Sequence, residues 1–108
     1  MDITLSTMST DRPILTISIA AKLLGVHPRT LMLYEKQEVY TSHRTDTKRR
    51  MFSINNLNTL QFIKFLTQEV GLNLMGVKTF FKAMEVANKA GVDLKKELFP
   101  QFQEKQLI

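Results

Sequence analysis

Apolar positions along this chain recur at helical spacing in several short stretches, and a polar, basic segment without that period interrupts them. Residues 1–13 are rich in Ser, Thr and Asp, carry no apolar run and read as a flexible tail. Ile14-Leu15-Thr16-Ile17 is a short apolar lead-in that can pack on a core. Ser18 suits the N-cap of a helix over about Ile19 to Leu24. Gly25 ends that helix where a left-handed residue is needed, and Val26 plugs the turn. Pro28 then opens a second helix, about Pro28 to Gln37, at the first helical position, where its missing N–H costs nothing. In it Leu31 and Tyr34 lie three apart and face inward, while Arg29, Thr30, Leu33 and Lys36 fall mostly on other faces.

Val39 to Phe52 holds no helical pattern; Asp46-Thr47 can turn, with a short strand on either side. Ser53 caps a third helix, about Ile54 to Glu69, with a broad apolar stripe that includes Leu57, Leu60, Phe62, Ile63, Phe65 and Leu66 and a stop at Gly71. Asn73 caps a fourth, about Leu74 to Lys89, ended by Gly91. Asp93 caps a last one, Leu94 to Phe99, broken or kinked at Pro100. Gly76 falls inside the fourth helix, where it suits close helix approach. The predicted fold is mainly α: a helix-turn-helix, a small β wing and a helical C-terminal segment. The predicted core of the first part is Leu23, Leu24, Leu31, Tyr34, Phe52, Leu57 and Leu60.

Charge sharpens this picture. A length of 108 residues and a hydrophobic fraction of 44% suit one small folded domain. The formal charge is +5. Residues 22–52 carry seven Lys or Arg against three acids, so four of the five net charges sit on the helix-turn-helix and wing. A field so placed suits a polyanionic partner. Cysteine is absent, which excludes disulfides, thiolate metal sites and Cys nucleophiles. Residues 1–13 do not resemble a signal peptide, and no stretch is long and apolar enough to span a bilayer, so a cytoplasmic, nucleoid-associated protein without membrane contact is expected.

The second helix must present side chains near its N-terminus to base edges while its other face packs on the first helix, and Arg29 and Thr30 stand in the right places. Arg44, Lys48, Arg49 and Arg50 flank a turn too polar for core, and their charges can bond phosphate oxygens, which positions a protein without reading sequence. Either feature alone also fits an ordinary helical hairpin with a solvated basic surface; their succession favours a DNA duplex. His27 suits a capping or phosphate-facing role, and His43 lies at the wing entrance. Two histidines without Cys and without i, i+4 spacing do not make a metal site. Phosphate loop, nucleophile elbow and isolated carboxylate pair are all missing, so neither an enzyme nor a bound cofactor is expected.

These residues together resemble a known family. Ala21-x-x-Leu24-Gly25-Val26-x-Pro28-x-Thr30-Leu31-x-x-Tyr34-Glu35, then Arg44-Thr45-Asp46 and Arg50-x-Phe52-Ser53, resemble the MerR family of transcriptional regulators. Leu66-Thr-Gln-Glu-Val-Gly71-Leu72-Asn73-Leu74-x-Gly76-Val77-Lys78 looks most like its HspR branch, the heat-shock repressors. The similarity covers about Ile17 to Phe81 and implies a winged helix-turn-helix, a homodimer, a near-palindromic operator and, as a further partner, a regulatory protein such as a chaperone. The chain departs from the family at Met32, where Arg is usual; at Glu38-Val39, where Gly-Leu is usual; at Ser42, where Pro is usual; at Thr47, where the wing turn normally carries Gly; and at Phe52, where Tyr is usual. Losing the Arg at 32 removes one expected DNA contact.

The expected function is that of a sequence-specific DNA-binding regulator, by resemblance a repressor, acting on double-stranded DNA as a homodimer. The expected DNA-binding set is Ser18, His27, Pro28, Arg29, Thr30, Met32, Leu33, Tyr34, Lys36, His43, Arg44, Lys48, Arg49 and Arg50. Residues 14–79 would form the DNA-binding domain and 80–108 a dimerisation segment. Phe80, Phe81, Met84, Leu94, Leu98, Phe99 and Phe102 read as more apolar surface than one small domain hides, with local core as the plainer reading. Two rival functions remain: a protein-interaction module that kept the fold, and an architectural DNA-bending protein of the excisionase type.

Overall fold

Five α-helices, one π-helical turn and three short strands follow one another in a computed structural model that describes residues 10–41, 43, 44 and 50–108, with the backbone alone for His43 and Arg44. The expected turn at Asp46-Thr47 and the tail over residues 1–9 lie outside the described residues. Strand β1 is Leu15–Thr16 and runs directly into helix α1, Ile17–Leu24. The cap of α1 is therefore Thr16 and not Ser18. Thr16 keeps the extended backbone of the strand, and its hydroxyl accepts the Ile19 N–H at 3.4 Å, while Ser18 falls into the first turn. Gly25 terminates α1 at φ 71°, and its N–H reaches the carbonyls of Ala21 and Lys22. The Lys64 ammonium donates to the Leu24 carbonyl at 2.8 Å, so an acceptor left over at the helix end is met from a distant helix.

Helix α2, Pro28–Lys36, begins with Pro28 in its first turn. Leu31 and Tyr34 are buried, at 1% and 4% exposure, against Ala20 (0%) and Ala21 (1%) of α1 in the shared core. Strand β2 is His43–Arg44 and β3 is Arg50–Phe52. The sheet is three-stranded and antiparallel in the order β1-β3-β2. Leu15 pairs with Phe52 and Thr16 with Met51 on one side of β3; His43 pairs with Met51 and Arg44 with Arg50 on the other. The apolar lead-in is thus a third strand, which fastens the wing to the start of α1.

Helix α3, Ile54–Phe65, opens with a reciprocal cap: Ser53 Oγ accepts the Asn56 N–H at 3.0 Å, and Asn56 Oδ1 accepts the Ser53 N–H at 2.8 Å. Leu57, Leu60 and Ile63 fill the core beside Phe52, Leu31 and Val77. The expected single helix to Glu69 changes its ladder after Phe65, because Leu66–Val70 form a π-helical turn. Thr67 Oγ1 donates to the Lys64 carbonyl at 3.1 Å, a local bond that competes with the regular ladder. Helix α4, Leu74–Lys89, is capped by Asn73, whose Oδ1 accepts the Gly76 N–H at 2.7 Å. A Cβ on Gly76 would meet that same Oδ1 at 3.2 Å, so Gly76 makes room for its own cap and not for a neighbouring helix. Helix α5, Leu94–Leu98, stops one residue earlier than expected. Thr10 and Asp11, placed by sequence in the flexible tail, are tied down. The Thr10 carbonyl accepts the Asn55 N–H at 3.0 Å, and the Asn55 amide donates to Asp11.

The C-terminal aromatics require a correction. Phe80, Phe81, Phe99 and Phe102 do not form a bare patch; they close around Phe62 of α3, with ring centroids 6.0, 6.0, 6.2 and 5.2 Å from it. Phe65 joins them at 5.5 Å from Phe99 and 4.9 Å from Phe102. Each of the four C-terminal rings is half-buried, packed against the core and not part of its fully buried set. The boundary expected between residues 79 and 80 falls inside the continuous helix α4.

Glu38 follows α2 with φ at 60°, the left-handed region that non-glycine residues enter at a cost. It stands where the resemblance has Gly. The chain closes the helix end here, with Val39 N–H on the Tyr34 carbonyl at 2.9 Å, and the Glu38 carboxylate meets Lys78 at 3.2 Å on an exposed surface. Glu38→Gly is expected to relieve the strain and raise stability by up to about 1 kcal/mol, because the exposed ion pair it gives up is worth little. Glu38→Val, β-branched at the same φ, is expected to lower stability by about 1–2 kcal/mol. Urea denaturation of the two variants separates these outcomes.

Candidate nucleic-acid interface

His27 sets the start of α2. Its backbone is extended, and its Nδ1 accepts the Arg29 N–H at 3.0 Å, so the imidazole caps the helix. With Leu31 and Tyr34 turned to the core, the outward stripe is Arg29, Met32, Leu33 and Lys36, the i, i+3, i+4, i+7 set of one helix face. All four are exposed, Met32 at 41% and Leu33 at 46%. Thr30 and Pro28 are half-buried beside the stripe. On α1, Ser18 and Lys22 are one turn apart, hence on a common face, and Lys22 is exposed. Tyr34, among the expected DNA contacts, has its side chain in the core, where its place as an inward neighbour of Leu31 puts it.

The wing reaches this helix through one ion pair. Arg50 Nε on β3 donates to Glu35 Oε1 on α2 at 2.6 Å, with both side chains largely shielded from water. By sequence alone Arg50 reads as a phosphate ligand and Glu35 as a surface partner of the basic residues around it. The geometry joins the two and makes Arg50 a brace between wing and helix. A guanidinium has five donors, so one bond does not use up its capacity. The side chains of His43 and Arg44, and the whole of Lys48 and Arg49, lie outside what the structure describes.

Tyr40 escapes the sequence reading. It is buried at 8% exposure and stacks on Phe52 with centroids 5.9 Å apart and planes 6° from parallel. Burial pushes its phenol pKa well above the ordinary value, and the Glu35 carboxylate adds to the rise. Its hydroxyl has no hydrogen-bond partner among the described residues. No periodicity marks it, because it lies in the connection between α2 and β2.

A helix-turn-helix with an outward cationic stripe and a braced antiparallel wing is therefore on hand. The sequence profile of the MerR HTH family regulatory proteins matches residues 15–84, from β1 into α4. The chain belongs to the MerR family. Among curated proteins it is 35% identical over 71 residues to the "Putative heat shock protein HspR" of Streptomyces coelicolor, covering 66% of this chain and 47% of that protein. It is 33% identical over 85 residues to the "HTH-type transcriptional regulator GlnR" of Bacillus anthracis and to that of Bacillus cereus, covering 79% of this chain and 64% of each. The chain thus spans about half of the first relative and just under two thirds of the others. The matched segment contains every element that shapes the stripe and the wing. No helix among the described residues is long and apolar enough to cross a membrane.

Proposed function

We propose that this MerR-family chain is a sequence-specific transcriptional regulator that binds double-stranded DNA as a homodimer on a near-palindromic operator. The observation that carries the reading is the outward stripe of α2, with cations at both ends and the basic wing braced beside it. In this arrangement α2 enters the major groove, the start of α1 follows the backbone, and Arg44, Lys48 and Arg49 hold phosphates on the flank. Pairing of two copies is supported by Met75 and Val86, which lie on one face of α4 and are 68% and 69% exposed, and by Leu98 at 54%. Repression, and release by a partner protein such as a chaperone, follow the resemblance of Leu66 to Lys78 to the heat-shock repressor branch. The names of its relatives support regulation as the activity.

Recovery of genomic fragments bound by the full chain tests the proposal. One recurrent inverted repeat is the expected result. Random fragments point to an architectural role, and the absence of DNA to a protein-interaction module.

Arg29 and Arg50 are expected to fail differently on the recovered site. Arg29→Ala removes a side chain from the leading end of the stripe and relaxes base preference, at about 1–3 kcal/mol if the contact is bidentate. Arg50→Ala weakens all duplexes alike and also lowers the melting temperature, because the brace to Glu35 goes with it. Arg50→Lys keeps the charge but not the planar fork, so it restores part of the affinity and little of the rigidity. Filter binding on operator and random duplexes, beside a thermal melt, distinguishes the two residues.

A further inference from the structure

The middle of the α2 stripe is apolar. Met32 and Leu33 are exposed between Arg29 and Lys36, on a helix whose core-facing positions are already filled by Leu31 and Tyr34. Packing within the chain does not explain them. An isolated exposed apolar side chain is ordinary, but two adjacent ones at the centre of a cationic face are placed where a partner's surface would meet them. Two side chains are far too few for a stable protein interface, which buries roughly 800 Å² on each side. Cations at both ends of the stripe match a polyanion and not an apolar protein groove.

In the major groove the one apolar group on a base edge is the C5-methyl of thymine. Resting on the DNA-binding reading above, we infer that Met32 and Leu33 form a methyl-reading patch, so that each half-site places thymines under the centre of α2, in A·T pairs, beyond the base pair met by Arg29. At position 32 the usual Arg of the family would offer donors to guanine acceptors. A thioether offers a soft apolar surface that adapts to a methyl. The Arg50–Glu35 bond serves this patch from behind: it engages the carboxylate on the residue two along from Leu33 and fixes the rotation of the helix. The chain therefore reads a different half-site from relatives that keep Arg at 32.

Deoxyuridine differs from thymidine only by that methyl, which makes the test direct. Full-length protein is used to select duplexes from a random library, and the recovered site is remade with deoxyuridine in place of thymine, one position at a time. The expected result is a loss of about fourfold in affinity for each methyl buried against the patch. Met32→Ala and Leu33→Ala, both at exposed positions and checked for an unchanged melting temperature, should lose the discrimination at their own base and leave the remaining positions as in the parent. A recurrent site with no thymine under α2, or one indifferent to deoxyuridine throughout, overturns the inference while leaving sequence-specific binding intact. Recovery of no recurrent site by the folded protein overturns the DNA-binding reading and the inference together.

Discussion

Phe62→Ala is expected to lower the free energy of unfolding by about 3–5 kcal/mol, a large part of what a domain of this size has. Phe62 is 2% exposed on α3, and four rings from α4 and the segment after α5 meet its surface, with Phe65 alongside. The Lys95 ammonium lies 4.7 Å over the same ring and 3.7 Å from the Glu104 carboxylate, so the ring also anchors a charge that ties α5 to the tail. Gln61 adds two hydrogen bonds to the Lys105 backbone, both at 2.8 Å, which hold the tail along α3. Truncating Phe62 removes the ring on which this cluster converges. Lys96→Ala, at an exposed position on α5, is expected to stay within about 0.5 kcal/mol. Urea titrations followed by circular dichroism give both values, and near-equal losses would show that the cluster is not the joint. The same geometry sets the expectation for a chain cut after Thr79. Such a cut removes more than half of α4 and uncovers Phe62 and Phe65, so the winged helix should lose its fold and not merely a second copy.

The parts of the fold written in local chemistry were legible from the sequence. Gly25, Pro28, Ser53, Gly71, Asn73 and Asp93 mark helix ends through side-chain caps, a left-handed turn or a missing N–H, and each signal acts within a few residues. What escaped was set by contacts across the chain. Ser18 and Thr16 are near-equal as caps in isolation; pairing of Thr16 with Met51 in the sheet decides for Thr16. The inward turn of Phe80 and Phe99 could not be told from an exposed patch, because helical spacing gives a face and not what covers it. At the candidate site the direction of Leu31 and Tyr34 followed from spacing, and with it the outward place of Arg29, Leu33 and Lys36; Thr30, expected with them, is half-buried, and the exposed Met32 completes the stripe. The bond between Arg50 and Glu35 did not, since the two stand fifteen positions apart with the wing turn between them. Glu38 at positive φ was visible only as a departure from the family's Gly, and the strain there is a property of the folded backbone.

Operator affinity is expected to fall about thousandfold between about 50 and 200 mM salt. Arg44, Lys48, Arg49 and Arg29, doubled in the proposed homodimer, are enough to neutralise about six phosphates, which corresponds to a log–log slope of roughly −5. Lys48→Ala combined with Arg49→Ala should make the slope shallower by about 0.9 for each phosphate that is no longer neutralised, in random and operator duplexes alike. Met32→Ala and Leu33→Ala should leave the slope unchanged, because an apolar contact with a base edge releases no counterion, although both lower operator affinity at any fixed salt. The salt slope and the affinity at one salt concentration thus report on different atoms of one surface. A slope near zero in the parent would count against phosphate contact altogether, and with it against the wing as the element that holds the duplex. A steep slope that Lys48→Ala and Arg49→Ala do not change would move the backbone contact to Arg44 or to the exposed Lys22 on α1.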